Sequence, residues 1–293
     1  MPNRTERRPF TAKFSPPSPL RRHTTPARWW TLALACAACA VWPTAHAQTG
    51  AQQAIPTITV PGTRDPVDKS YRKMLKGMNR FQRDHALAPD ASLRFRLLPR
   101  QKDLDLNNVS LKIVGDKLSL PVPLAADRSF TLPRNAQAQR EDASLIANRK
   151  TSSMTWRAIV RTPGLAPDTR RLGDLRLECR VGVEAGLISN DPALIAWLTS
   201  MLHDPDRVCS IPNGEYLFFS ERPLFSVTLR SGARSEVLPF YMLYAGGQLS
   251  ASALEYCDCQ VLLDRSYYAP LWDRSWPDDT LLEFEYMDEA GAP

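Results

Sequence analysis

Four cysteines, Cys179, Cys209, Cys257 and Cys259, carry the sulfur chemistry of this chain beyond its apolar N-terminal run. An even number of thiols in a chain bound for an oxidising compartment tends to pair, so two disulfides are expected. Residues two apart in a strand sit at about the limit of the usual Cα separation for a bridge. Cys257 and Cys259 are therefore each expected to reach a different distant segment. A Cys179–Cys209 bridge would instead close a loop of about 30 residues and stabilise by roughly 3–4 kcal/mol. The Cys257-Asp258-Cys259 spacing also suits a redox dithiol or a pair of soft-metal ligands. Zinc wants four ligands, however, and past residue 47 the chain offers only His85 and His203, neither in ligand spacing with a cysteine. No metal and no cofactor is expected.

Two further groups of side chains have chemical potential. Lys69, Arg72, Lys73, Lys76, Arg80 and Arg83 fall within about 100° on a 3.6-residue wheel, opposite Tyr71, Met74, Leu75, Met78 and Phe81. Such a face suits an anionic partner, either an envelope component such as a phospholipid head group or lipopolysaccharide, or an acidic protein. The plainer alternative is a solvated helix, or two oppositely charged halves of the chain that face each other. Towards the C-terminus, Tyr267, Tyr268, Trp272 and Trp276 sit beside Asp264, Asp273, Asp278 and Asp279. Flat rings with carboxylates suit glycan contacts, and two of the acids would be needed for glycoside hydrolysis, although most such rings are core. Asp103-Leu104-Asp105 opens like a calcium loop, but Asn108 stands at the sixth position and Val114 at the twelfth. The sequence has no HExxH, GxSxG, Walker or GxGxxG pattern, so catalysis is not the expected function.

The elements that must hold these residues read as mainly β, an antiparallel sandwich or barrel-like fold with an N-terminal amphipathic helix and a short cover helix. Asp65 as N-cap, Pro66 at the first helical position and Asp68 in a capping box predict a basic amphipathic helix within 63–89. After Pro89 the period changes to two: Leu93, Phe95 and Leu97 alternate with Arg94 and Arg96, and strands follow at 109–113, 118–122, 130–132 and 154–160. Residues 134–152 read as a long polar loop. Leu175, Leu177, Cys179, Val181 and Val183 alternate as in a strand, and Asn190-Asp191-Pro192 opens the cover helix. Strands at 216–219, 225–230, 236–243 and 281–286 complete the pattern. The stretch LKIVGDKLSLPVPLAADRSFTLP resembles the strand rhythm of transthyretin-like or carboxypeptidase-regulatory modules. That resemblance implies a β-sandwich fold and nothing functional, and the usual glycine before the aromatic is missing here.

Residues 29–42, WWTLALACAACAVW, form an apolar run between a basic stretch and Ala45-His46-Ala47, the plan of a secretory signal peptide cleaved after Ala47. Leu20-Arg21-Arg22-His23 and Cys36 hint at twin-arginine export and lipidation, but each lacks its usual flanking residues. No other stretch approaches the roughly 20 apolar residues of a membrane span. The +6 formal charge lies wholly in residues 1–47; the remainder carries 30 basic and 30 acidic side chains. Residues 48–178 hold 23 basic and 13 acidic side chains, while 179–293 hold 7 and 17. The organisation expected is a signal peptide (1–47), a flexible mature N-terminus (48–62), the helix (63–89), a β-rich region (90–184) and a β-rich acidic region (185–293). The function expected is that of an exported, periplasmic or secreted, non-enzymatic binding or accessory protein of the cell envelope, with no nucleic-acid partner. A glycan-binding or glycan-hydrolysing protein is the alternative.

Overall fold

The structure, a computed structural model, describes residues 66–188, 205–212, 216–244 and 261–287. The signal peptide, the mature N-terminus, the 190–202 helix and the Cys257/Cys259 pair all lie outside the described residues.

Among the described residues the chain is mainly β, with four antiparallel sheets. Strand β1 (Pro66–Ser70) leads directly into helix α1 (Tyr71–Arg83). The helix was expected to start at Asp65, but residues 66–70 pair with β6 (Ser144–Lys150), placing Lys69 opposite Leu145 and Ser70 opposite Ser144. Pairing satisfies those backbone groups, so Ser70 becomes the N-cap and its hydroxyl accepts from the Lys73 amide at 3.3 Å. Lys69 is thus a strand residue and leaves the helix face.

Strands β2 (Ser92–Pro99), β3 (Leu111–Val114), β4 (Ser119–Val122) and β5 (Ser129–Phe130) follow. The expected 134–152 loop holds helix α2 (Ala136–Arg140), capped by the Asn135 side chain on the Ala138 amide at 2.8 Å, and then β6. Only Leu145 and Ala147 of β6 are buried, so its polar composition hid a half-buried strand. One sheet runs β1-β6-β3-β4 and a second β5-β2-β7, with β7 spanning Met154–Arg161. Ile113 and Leu145 from the first, Phe95, Phe130 and Trp156 from the second, and Tyr71 and Met74 from α1 share one core.

After β8 (Thr169–Arg171) comes the largest departure from expectation. Residues 172–184 form helix α3 (Leu172–Glu184), not a strand. This helix separates two cores: Leu177 and Val181 belong to the first, while Leu172, Leu175, Cys179 and Val183 belong to the second. A helix buried on both sides shows no single apolar stripe. The charged residues that mimicked strand alternation are also inside. Asp174 accepts from the Thr162 amide and hydroxyl at 2.8 and 2.7 Å. Arg176 donates to the Leu271, Asp273 and Trp276 carbonyls and to Asp278. Helix α1 crosses α3 so closely that a Cβ on Gly77 would lie 2.7 Å from the Ala185 Cβ. The glycine that weakens α1 in isolation is what permits this contact.

The second core is completed by α4 (Pro205–Val208), β9 (Phe218–Phe219), β10 (Leu224–Ser231), β11 (Arg234–Val237), β12 (Ser266–Tyr267) and β13 (Leu281–Tyr286). The expected 236–243 strand is cut to β11 and a 3-10 turn at Phe240–Met242. A third sheet is ordered β11-β10-β13-β8, and β12 pairs with β9. Cys179 of α3 is bonded to Cys209, with the two Cα atoms 6.0 Å apart. This overturns the expectation that Cys257 and Cys259 would take those partners. The bridge is possible because α4 packs on α3, where Arg180 reaches Asp206 at 3.6 Å.

Candidate functional site

The basic face predicted on α1 is only partly a surface. Arg80 is 6% exposed. Its Nε lies 2.6 Å from Asp84 and its Nη2 meets Asp206, while Arg180 reaches Asp84 at 2.8 Å. Burial acts to raise the Asp84 carboxyl pKa, but hydrogen bonds from Arg180 and Arg80 outweigh it and hold the group below its ordinary value. Arg72 pairs with Asp142 at 3.4 Å and donates to the Gln139 carbonyl, and Arg83 lies 3.5 Å from Asp84. Lys73 and Lys76 stay exposed. Arg80, Arg96, Arg161 and Arg176 each pair with an acid of the 179–293 segment, as Arg222 of that segment does with Asp168. Part of the opposite charge in the two halves is therefore spent in contact between them.

The C-terminal aromatics form no open platform. Tyr267 is fully enclosed, and Trp276 is 2% exposed with the Arg234 guanidinium 3.5 Å above its ring. Tyr268 and Trp272 are half-buried against the second core. The neighbouring acids are engaged in folding: Asp278 pairs with Arg176, and Asp273 caps the Ser275 amide at 2.9 Å.

A different site emerges where β2 and β7 meet the 217–221 segment. A cleft of about 310 Å³ is lined there by six arginines, Arg96, Arg128, Arg157, Arg161, Arg170 and Arg265. Against them stand three carboxylates, Asp127, Glu178 and Glu221. The register of the second sheet sets Arg96 directly opposite Arg157. Like charges facing each other across antiparallel strands destabilise the pair. The second sheet nevertheless carries them, with Arg157 buried, donating to the Leu217 carbonyl at 2.7 Å and lying 5.1 Å from the Phe219 ring.

The carboxylates hold Arg96 and Arg161 only loosely. Arg96 reaches Glu221 and Asp127 at 3.4 Å each, and Arg161 reaches the same Glu221 oxygen at 3.2 Å. These are long for charge-assisted contacts, which favour 2.7–2.9 Å as a rough norm. Arg170 is held firmly: its Nη2 donates to Glu178 and to the Val160 carbonyl, both at 2.8 Å. Burial would lower the Arg170 pKa, but the Glu178 carboxylate outweighs it and raises it, so the guanidinium stays charged. At Asp127, burial is likewise outweighed by hydrogen bonds from Ser129 and the charge of Arg96, leaving its pKa below the ordinary value. The buried Nε atoms of Arg96, Arg170 and Arg265 have no hydrogen-bond partner among the described residues. Two buried hydroxyls, of Tyr216 and Tyr267, share that condition and lie within electrostatic reach of Arg170 and Glu178.

Sequence reasoning took Arg94 and Arg96 for the solvent face of a strand and passed over this cleft. The signal it could have used is that every basic residue on β2, β7 and β8 is arginine, the residue suited to forked recognition of oxyanions. Among the described residues no three His, Cys, Asp or Glu side chains gather as a metal site, and no helix is long and apolar enough to cross a membrane. Comparison with models of known protein families, with curated proteins and with solved structures finds no match.

Proposed function

We propose that this is a binding or accessory protein of the cell envelope, exported by its N-terminal leader, and that it receives an anionic group of an envelope component or protein partner in the arginine-lined cleft. The observation that carries this reading is a cleft whose described lining has twice as many arginines as carboxylates, with one Glu221 oxygen shared between Arg96 and Arg161 at 3.4 and 3.2 Å. An entering anion complements that excess of positive charge. On α1, Arg72 and Arg83 are paired with Asp142 and Asp84, and Lys73 and Lys76 are point charges without the forked geometry of arginine.

Thermal unfolding of the full chain in inorganic phosphate or acetate, against chloride at equal ionic strength, tests the reading. A ligand that binds only the folded state raises the melting temperature by mass action. The expected result is a rise that Arg96→Gln with Arg265→Gln abolishes and Lys73→Glu with Lys76→Glu leaves intact. No specific rise, or a rise lost only in the lysine variant, would refute it. Export is tested separately: N-terminal sequencing of protein from the envelope fraction should begin at Gln48.

A further inference from the structure

The cleft has a second half. Leu97, Leu98, Pro99, Leu106, Leu217 and Leu262 line it alongside the arginines. Of these, Leu97 and Leu106 belong to the first core and border the cleft from it, while Leu98, Pro99, Leu217 and Leu262 complete its apolar side. A site for a bare inorganic anion would need only the guanidinium groups and water. A volume of about 310 Å³ is also larger than one phosphate or carboxylate fills, and it sits at the lower end of the range for organic ligands. Glu221 meanwhile stands half-exposed on the rim, its single oxygen shared between Arg96 and Arg161 at 3.4 and 3.2 Å. An internal carboxylate at that spot holds the place of a ligand's head group and competes with it.

We infer that the cleft binds a small amphiphilic acid, a carboxylate or phosphate head on an apolar body, with the head on Arg96, Arg161 and Arg265, the body against the leucine wall, and Glu221 as a displaceable competitor. This inference rests on the anion-binding reading above and names the class of ligand that the site takes. Arg170 and Glu178 form the charged base of the site and remain paired with each other.

Isothermal titration of the full chain with octanoate and octyl phosphate tests it, with acetate, inorganic phosphate and octanol as probes of each part alone. Burying even half of the octyl chain should make the octyl acids at least about tenfold tighter than their head groups, while octanol binds weakly or not at all. Arg96→Gln with Arg265→Gln should weaken the octyl acids by roughly 10- to 100-fold. Glu221→Gln, which frees Arg96 and Arg161, should tighten them; a gain of affinity cannot come from a misfolded variant. Whichever octyl acid binds tighter identifies the head group. Equal affinities for acetate and octanoate, and for phosphate and octyl phosphate, would overturn the amphiphile and leave the anion site standing. Octanol binding as tightly as octanoate, no binding by any anion, or binding unaffected by the arginine changes would overturn both. Weaker binding by Glu221→Gln would overturn its role as competitor.

Discussion

Loss of the Cys179–Cys209 bridge is a perturbation whose size follows from the chain itself. The two residues are 30 apart in sequence. A cross-link over that separation removes about 12 cal/mol/K of loop entropy from the unfolded state, or about 3.6 kcal/mol at 25 °C, in the chain-entropy model. The native state would lose little else at first. Arg80 keeps Asp84 at 2.6 Å when α4 loosens, although its contact with Asp206 depends on α4 staying in place. Urea unfolding of the full chain, followed by circular dichroism, should therefore show the Cys179→Ala, Cys209→Ala double variant less stable by about 3–4 kcal/mol. A loss below about 1 kcal/mol would refute the argument, since the bridge would then constrain little in the unfolded chain. Peptide mapping without reductant checks the premise. It should recover a disulfide-linked pair containing Cys179 and Cys209, and a link from Cys179 to Cys257 or Cys259 would contradict the structure.

Three other outcomes are expected. Gly77→Ala should destabilise by about 1–3 kcal/mol despite the better helix propensity of alanine, because its Cβ would meet Ala185 and the Val181 carbonyl at 2.7 and 2.9 Å; equilibrium unfolding measures it. Glu178→Gln should cost about 3–5 kcal/mol by the same measurement, since it leaves the buried Arg170 guanidinium without its countercharge. The lowered pKa of Asp84 makes its contribution to stability complete above the ordinary aspartate range and lost as pH falls through the depressed folded value. Stability measured from about pH 5 down to pH 2 should accordingly fall less steeply in Asp84→Asn than in the wild type.

Where a side chain's partners lie close in sequence or its period is clean, the sequence was a sound guide. The alternation of Leu93, Phe95 and Leu97 located β2, and the Tyr71, Met74 and Leu75 stripe located the buried side of α1. It misled wherever burial extends to charged residues. Asp174, Arg176 and Glu178 made α3 look like a strand because each is buried and satisfied by a partner outside the helix, Thr162, Asp278 and Arg170 in turn. The start of α1 was misplaced for a related reason: residues 66–70 owe their conformation to pairing with β6, some 75 residues later. The arginine cleft was hidden by distribution, since its lining comes from β2, β7, β8, α3, the 217–221 segment and separate positions at Leu106, Asp127, Arg128, Leu262 and Arg265. Among the pairings open to Cys179, the spacing of Cys257 and Cys259 leaned away from the Cys179–Cys209 bridge, because it says nothing about how α4 docks on α3.

The central claim is that an anion enters the cleft between β2, β7 and the 217–221 segment. Hydrogen exchange of the full chain with and without saturating octyl phosphate locates the bound ligand directly. The account predicts slowed exchange in 96–99, 157–161 and 217–221, with α1 unchanged. Protection confined to residues 71–83, or none anywhere, would contradict it.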